Sequence, residues 1–238
     1  MKHKLIFAVW GLQTKMDEDL AQLINASASY AEVEANGRPE NPLKFPSPSV
    51  GQARRVTAVV HSPTTFEEAE VPNVVYEARR DGSAPHRAYW IGRKLKKAIY
   101  GCVRSCTVLK LMPGSVWTGP DSGSAGMGVK WEVTAEMAAV KIMDWNRVRA
   151  LRGKHFEDPA NELSAMQMLS GGGDTPNVLR VLDVLQDAQY LYSFMPYCSS
   201  GELFSYVEHG RFTEPVARFW FRQLLNVSCR DSGSCGKF

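Results

Sequence analysis

The chain has 238 residues, of which 44% are hydrophobic and 22% are charged, a composition typical of a globular protein with one core. Its net charge is only +3, which argues against nucleic acid as the main partner. Five cysteines without the spacing of a zinc site favour free thiols in a reducing compartment. We therefore expect a cytoplasmic protein.

The first residues, MKHKLIFAVWGL, combine basic side chains with a short apolar run, a pattern also found in secretory signals. Four charged residues precede the one small-residue cleavage candidate at 26–28: Lys15, Asp17, Glu18 and Asp19. They favour a chain without a signal. No stretch reaches the roughly 20 apolar residues of a membrane-spanning helix, so no membrane partner is expected.

Residues 1–86 are predicted to form a disordered or irregular leader. Turn-forming segments such as PENPLKFPSPSVG dominate its second half, and seven of the 13 prolines fall between Pro39 and Pro85. Short pieces such as RRVTAVV (54–60) have the composition of a strand, but nothing near them carries chemistry.

The pattern changes at Tyr89. The segment YWIGRKLKKAIYGCVRSCTVLKL alternates apolar and polar residues around Gly101, which predicts two antiparallel strands joined by a turn. It resembles the first two strands of a protein kinase small lobe, where I-G-x-x-L-G-x-G-x-[FY]-G-x-V covers the phosphates of ATP. Six positions agree with that pattern: Ile91, Gly92, Leu95, Tyr100, Gly101 and Val103.

Two positions of this phosphate loop depart from the family. Lys96 and Ala98 stand where its first two glycines are expected, and side chains there weaken a backbone cradle for phosphates. Lys94, Lys96 and Lys97 can supply positive charge in compensation, but a solvated basic edge is the simpler interpretation.

Residues 112–132, MPGSVWTGPDSGSAGMGVKWE, are predicted to form a long insertion loop. The run AEMAAVKIM that follows contains one charged amine, Lys141, which must reach water, pair with a carboxylate or hold an anion. This run resembles the V-A-I-K strand of the kinase family. The resemblance implies that Ala139 lies under the adenine and that Lys141 contacts the α- and β-phosphates of ATP.

The segment PANELSAMQMLS (159–170) is predicted to be a helix with Glu162, Met166 and Leu169 on one face. Taken alone, Glu162 would be read as an exposed first-turn glutamate. In the kinase family the glutamate of this helix, called helix C, pairs with the strand lysine. The resemblance therefore implies an ion pair between Lys141 and Glu162.

Residues 175–225 resemble the family from the end of helix C to the first helices of the large lobe, with PNVLRVLDV and AQYLYSFM as the fourth and fifth strands. The resemblance implies that Met195 is the gatekeeper, that Cys198 lies in the hinge and that Glu202 contacts the ribose. Pro196 replaces the usual hinge glutamate, but its ring removes only a donor, so adenine binding is not excluded. The sequence of residues 201–225 most resembles those of calcium/calmodulin-dependent and AMP-activated serine/threonine kinases.

The implied fold class is α+β, with an antiparallel five-stranded small lobe and helix C at 87–198. The first helices of an incomplete large lobe follow at 199–225, and a non-family tail at 226–238. The implied ATP site consists of the pair Lys141 and Glu162 with Leu95, Ala98, Gly101, Val103, Ala139, Met195, Cys198 and Glu202.

The H-R-D and D-F-G segments of the family, which supply the catalytic aspartate and the magnesium ligands, have no counterpart in NVSCRDSGSCGKF. Asp231 lacks the neighbouring histidine and asparagine, so no metal site is expected although the family uses Mg²⁺. We expect a truncated, inactive serine/threonine kinase chain that binds ATP and a protein substrate or regulatory protein. Alternatives are a non-catalytic nucleotide-binding or interaction module, or an unrelated α+β domain with accidental matches.

Overall fold

A computed structural model describes residues 45–117, 129–151, 158–171, 177–210 and 213–231. The chain divides into two compact units, here called the barrel unit (Ser47–Gly171 and Arg180–Cys198) and the helical unit (Met1–Pro46, Gly172–Leu179 and Ser199–Phe238). Predictions for the chain before residue 45, for the middle of the insertion and for the tail after residue 231 lie outside the described residues.

The barrel unit contains seven strands and two helices among its described residues. They are β1 (Gly51–Ser62), β2 (Glu67–Glu77), β3 (Ala88–Ala98), β4 (Gly101–Leu111), β5 (Lys130–Asp144), α1 (Trp145–Leu151), α2 (Pro159–Gly171), β6 (Asp183–Gln186) and β7 (Tyr190–Pro196). The strands close into a barrel in the order β1-β2-β3-β4-β5-β7-β6. Strands β3 to β7 are antiparallel neighbours in that order, which confirms the predicted kinase-like small lobe.

Two of the strands lie in the predicted irregular leader, and that prediction was wrong for residues 51–77. β1 contains the RRVTAVV segment and pairs antiparallel with β2. The alternation in these strands is interrupted by a register shift between Val56 and Ala58 and by Pro72, so the period-2 signal is weak. The proline-rich composition therefore concealed a hairpin.

This hairpin closes the sheet. β2 pairs antiparallel with β3, while β1 pairs parallel with β6 at Gly51 and Leu185 and with β5 at Val59 and Lys130. The five strands predicted for the small lobe thus form part of a closed seven-stranded barrel rather than an open sheet.

An aromatic stack fills the barrel interior. The rings of Tyr89 and Phe194 lie 3.7 Å apart at 13°, and Tyr192 continues the stack 6.2 Å from Phe194. The same cluster includes Val75, Ile91, Cys106, Val108, Ala138, Val140 and Leu185. Because side chains alternate along a strand, the residues between these on β5 and β7 face the outside of the barrel.

Two boundaries differ from the predictions. β5 begins at Lys130, so the loop after β4 is slightly shorter than predicted. The fourth predicted strand begins only at Asp183 rather than at residue 176. The amide of Val181 donates to the Ser170 hydroxyl of α2, 3.0 Å away, instead of joining the sheet.

The helical unit contains the two predicted helices, α3 (Leu203–Glu208) and α4 (Glu214–Asp231). In the first turn of α4 the amide of Ala217 donates to the Thr213 carbonyl at 2.9 Å. The helix continues past residue 225, where the predicted family pattern ends. None of the helices in the described parts of the chain is long and apolar enough to cross a membrane.

Candidate functional site

Lys141 of β5 and Glu162 of α2 form the predicted ion pair. The Lys141 Nζ lies 2.7 Å from Oε2 and 2.8 Å from Oε1 of Glu162. The two side chains are 17% and 25% exposed, so the pair is largely shielded from water without being fully buried. The sequence analysis left three options for the Lys141 amine: contact with water, a carboxylate partner or an anionic ligand. The structure contains the carboxylate partner.

The start of α2 fixes the position of Glu162. The side-chain carboxylate of Asp158 accepts a hydrogen bond from the Ala160 amide at 2.9 Å, and the backbone carbonyl of Asp158 accepts one from the Glu162 amide at 3.0 Å. Pro159 follows this cap, as expected for a first helical turn. Leu163, which follows Glu162, is buried in a cluster with Tyr100 and Met143.

Strand register brings four of the predicted residues to one face of the barrel. Lys141 lies opposite Val103 on β4 and opposite Ser193 on β7, and Ala139 lies opposite Met195. Directly opposed residues share a face of a sheet. Val103, Ala139 and Met195 are at most 4% exposed, so they form an apolar wall beside the lysine, which we call the Lys141 face.

Ser193 belongs to the same face and was not identified from the sequence. Its hydroxyl is buried and finds no hydrogen-bond partner within the described ranges. A buried hydroxyl without a partner is uncommon in folded proteins. The only signal for it in the sequence is its position two residues before Met195.

The predicted phosphate loop is a tight turn. Ala98 pairs with Gly101, and Lys96 pairs with Val103, so the two positions that replace family glycines belong to the β3–β4 ladder. A Cβ atom added at Gly101 would lie 2.1 Å from the Ile142 carbonyl oxygen. Only glycine therefore fits at position 101.

Leu95 and Cys198 are not joined to this face by any contact given for the described residues. Leu95 is half-buried on β3, and the Cys198 thiol is exposed at the end of the barrel unit. The amide of Tyr197 donates to the Met137 carbonyl at 3.4 Å, which holds the chain after β7 against β5. Glu202 belongs to the helical unit, where it immediately precedes α3.

A second polar group, also missed by the sequence analysis, links β1 to the turn between β6 and β7. The Arg55 guanidinium donates to the Tyr192 hydroxyl, lies 4.0 Å from the Asp187 carboxylate and covers the Tyr190 ring at 5.1 Å. Burial raises the pKa of Tyr192. Burial also opposes ionisation of Asp187, but hydrogen bonds from Tyr192 and two backbone amides hold the pKa of its carboxyl below the usual value.

Metal ligands are not grouped near the Lys141 face. Within the described residues, no cluster of three or more His, Cys, Asp or Glu side chains could hold a metal ion.

Two open cavities of about 540 and 520 Å³ are both lined by Gln52, and neither is lined by a predicted site residue.

Residues 122–227 match the family described as Protein kinase domain. The matched range runs from the insertion through β5, α2, β6 and β7 into α4, and it begins after the β3–β4 hairpin. It therefore includes the Lys141–Glu162 pair and the predicted hinge, while the predicted phosphate-loop positions lie outside it.

Among curated proteins, the chain is 36% identical over 95 residues to CBL-interacting protein kinase 32 of Oryza sativa subsp. japonica, covering 40% of this chain and 20% of the relative. It is 33% identical over 96 residues to CBL-interacting serine/threonine-protein kinase 9 of Arabidopsis thaliana, with the same coverage. It is also 30% identical over 112 residues to the probable serine/threonine-protein kinase fhkD of Dictyostelium discoideum. The chain spans about a fifth of the length of the first two relatives.

Proposed function

The chain belongs to the protein kinase family, and on that premise we propose that the Lys141 face binds ATP, as part of a serine/threonine protein kinase. The observation that carries the proposal is the Lys141–Glu162 ion pair, with both carboxylate oxygens within 2.8 Å of the amine. A lysine held in this way presents a fixed positive charge to phosphate oxygens. An isolated structural ion pair would not require the apolar wall beside it.

The proposed roles follow the positions on the barrel. Val103, Ala139 and Met195 contact the adenine in this proposal, since they are apolar and share the face of the lysine. The backbone at Cys198 binds the adenine edge. We assign the β3–β4 turn around Gly101 to the phosphate end of the face on the family pattern in the sequence.

Leu95 and Ala98 border the nucleotide from β3, and Glu202 contacts the ribose. These three assignments rest on the family pattern in the sequence. Lys96 and Ala98 are held in the β3–β4 ladder, so the turn offers fewer backbone amides to phosphate than a glycine-rich loop. We therefore infer that ATP binding is weak.

The described residues do not fit a magnesium site of the kinase type. Two carboxylate or amide ligands would be needed near the phosphates, and no acidic cluster is present in the described part of the chain. No step is therefore assigned to the metal. The 238 residues contain no H-R-D or D-F-G segment, and we infer that they bind nucleotide without transferring phosphate.

Protein partners are a further part of the proposal. Two of the relatives are described as CBL-interacting kinases, so a regulatory protein or a protein substrate is the partner class we propose, in the cytoplasm. The runner-up function is a non-catalytic nucleotide-binding or interaction module. It is favoured by the same sequence feature, the missing catalytic segments.

Titration with a fluorescent ATP analogue tests the proposal. Lys141→Met is expected to weaken binding by about tenfold or more, equivalent to about 1.4 kcal/mol, because it removes the positive charge that we assign to the phosphates. The matched control is Lys110→Met, an exposed lysine on β4, which should bind like the parent chain.

The same titration with added magnesium or a chelator separates two mechanisms. We expect less than about a twofold change, because the metal-holding groups of the family are absent. Equal binding by the parent chain and Lys141→Met would contradict the proposal, and a tight complex abolished by the chelator would reveal a metal site outside the residues considered.

A further inference from the structure

We propose that residues 49–52, here called the N-terminal clamp, bind Gln167 of α2. This contact holds α2 in the position in which Glu162 reaches Lys141. Gln167 would then be a positioning residue for the nucleotide site without contacting the nucleotide. The inference rests on the proposed function, since it assigns an effect on ATP affinity to a residue outside the Lys141 face.

Two hydrogen bonds join α2 to the clamp. The Ser49 amide donates to Gln167 Oε1 at 2.8 Å, and Gln167 Nε2 donates to the Ser49 carbonyl at 2.7 Å. Both partners in the clamp are backbone atoms of Ser49, so the side-chain amide pairs with one residue as a residue of a neighbouring antiparallel strand would. This paired geometry fixes orientation as well as distance.

Two of the attachments of α2, at Glu162 and at Gln167, lie on different sides of the helix. Gln167 follows Glu162 by five residues, which corresponds to about 7.5 Å along the axis and about 140° around it. A helix held only by the Lys141–Glu162 pair is free to rotate about that contact. The second attachment opposes this rotation.

Packing supports the same arrangement. Val50 of the clamp packs against the buried cluster that contains Leu163 of α2 and Val148 of α1. Leu163 adjoins Glu162 in the chain, so apolar contact and hydrogen bonding act on the same helix from the same segment.

The clamp itself is anchored to the barrel. Gly51 and Gln52 pair with Leu185 and Gln186 of β6. A Cβ atom added at Gly51 would lie 2.8 Å from the Glu77 carboxylate and 2.9 Å from Leu185, so this segment passes closely between two neighbours. Farther along β1, Arg55 binds Tyr192 and Asp187. Ser49 therefore offers its peptide groups from a fixed position.

A double-mutant cycle measures whether Gln167 acts through Glu162. Gln167→Ala is expected to weaken binding of the fluorescent ATP analogue by about three- to tenfold, the range typical of one or two lost hydrogen bonds. In a Glu162→Gln background the same change should alter affinity by less than about twofold, because the position of α2 no longer matters when its carboxylate is gone. An additive loss in both backgrounds would overturn the proposal.

Hydrogen exchange provides a readout that does not depend on nucleotide. Amides of α2 (Pro159–Gly171) should exchange about threefold or more faster in Gln167→Ala, while amides of β4 and β5 remain unchanged. Asn161→Ala is the matched control, since it shortens an exposed polar side chain on the same helix and should leave exchange at the parent rate. Unchanged exchange in Gln167→Ala would overturn the clamp.

Gln167→Glu provides a second variant if the alanine variant fails to fold. It keeps the acceptor for the Ser49 amide and the length of the side chain, but loses the donor to the Ser49 carbonyl, so exchange in α2 should lie between the parent and alanine values. An exchange rate equal to that of the parent chain would count against the clamp. Absence of nucleotide binding in the parent chain would refute the proposed function, whereas the exchange measurement would still decide the clamp.

Discussion

Arg55 on β1 and Asp187 in the turn between β6 and β7 lie 4.0 Å apart, and the Tyr192 hydroxyl bonds to both side chains. The contact joins the β1–β2 hairpin to β7. Because Arg55 also covers the Tyr190 ring, its removal affects packing as well as charge. The group therefore contributes to barrel closure.

Asp187 should make stability fall at acidic pH. A carboxylate whose pKa is lowered by folding stabilises the protein above its unfolded pKa, and this stabilisation is lost as the pH falls through the folded value. The loss is therefore expected below about pH 4. Asp187→Asn should lower the melting temperature at pH 7 and make its decline below pH 4 shallower, as followed by circular dichroism.

The control for this series is Glu70→Gln, which neutralises an exposed carboxylate on β2 and should melt like the parent chain at pH 7. An acid limb with the same slope in Asp187→Asn and in the parent chain would show that Asp187 does not contribute to the pH dependence.

Gly101→Ala should destabilise the barrel unit by about 2–4 kcal/mol, because the new Cβ atom would overlap the Ile142 carbonyl and force the β4–β5 ladder apart. Urea denaturation measures the effect. Gly92→Ala is the matched control on β3: its nearest contact is the Ser105 hydroxyl at 3.1 Å, and less than about 1 kcal/mol is expected. Equal losses in the two variants would mean that the turn can move aside.

The 238-residue chain should transfer no phosphate to protein or peptide substrates beyond the level of Lys141→Met. Phosphoryl transfer requires a base and a metal clamp, and the residues that provide them in the family are missing from this sequence. Incorporation of radiolabel from γ-labelled ATP measures the activity. Labelling that Lys141→Met abolishes would show that another acidic residue replaces the family aspartates.

The helical unit should self-associate when the chain is purified alone. Phe219 and Trp220 on α4 are 60% and 44% exposed, and Val216 on the same face is 39% exposed. Three large side chains left in water forfeit on the order of 5 kcal/mol of burial free energy, which favours contact with another apolar surface. Light scattering coupled to size exclusion should show species larger than a monomer.

The variant Phe219→Gln combined with Trp220→Gln should shift this distribution towards the monomer. Arg222→Gln, an exposed polar change on the same helix, serves as its control. A monodisperse monomer with one cooperative melt for the parent chain would mean that the apolar face of α4 is covered.

The site was easier to predict than the barrel around it. Lys141 and Glu162 belong to short local patterns, a strand with one charge and a helix that begins with a proline. Each pattern can be recognised from neighbouring residues alone, without knowledge of distant contacts. Their pairing follows from the family resemblance. The structure contains that pair, whereas its role towards nucleotide remains a prediction.

Strands β1 and β2 were missed because their stability comes from distant partners. Gly51 pairs with Leu185 about 130 positions away, and no local periodicity records such a pairing. Ser193 and Gln167 were missed for a related reason, since a serine in a strand and a glutamine on a helix gain significance only from what lies next to them. The fourth predicted strand shows the opposite error. Local composition predicted a strand from residue 176, whereas β6 begins at Asp183.

Closure of the barrel also sets an order of events during synthesis. Among the described strands β1 is made first, but its parallel partners β5 and β6 follow only after β4. Until β5 and β6 have been made, β2 is the one described strand with which β1 can pair, and an isolated hairpin is marginally stable in water. Contacts between such distant segments slow folding because the long intervening loop must close first. The nascent chain therefore carries an unprotected strand edge until residue 186 has been added, which makes early release from the ribosome a route to aggregation.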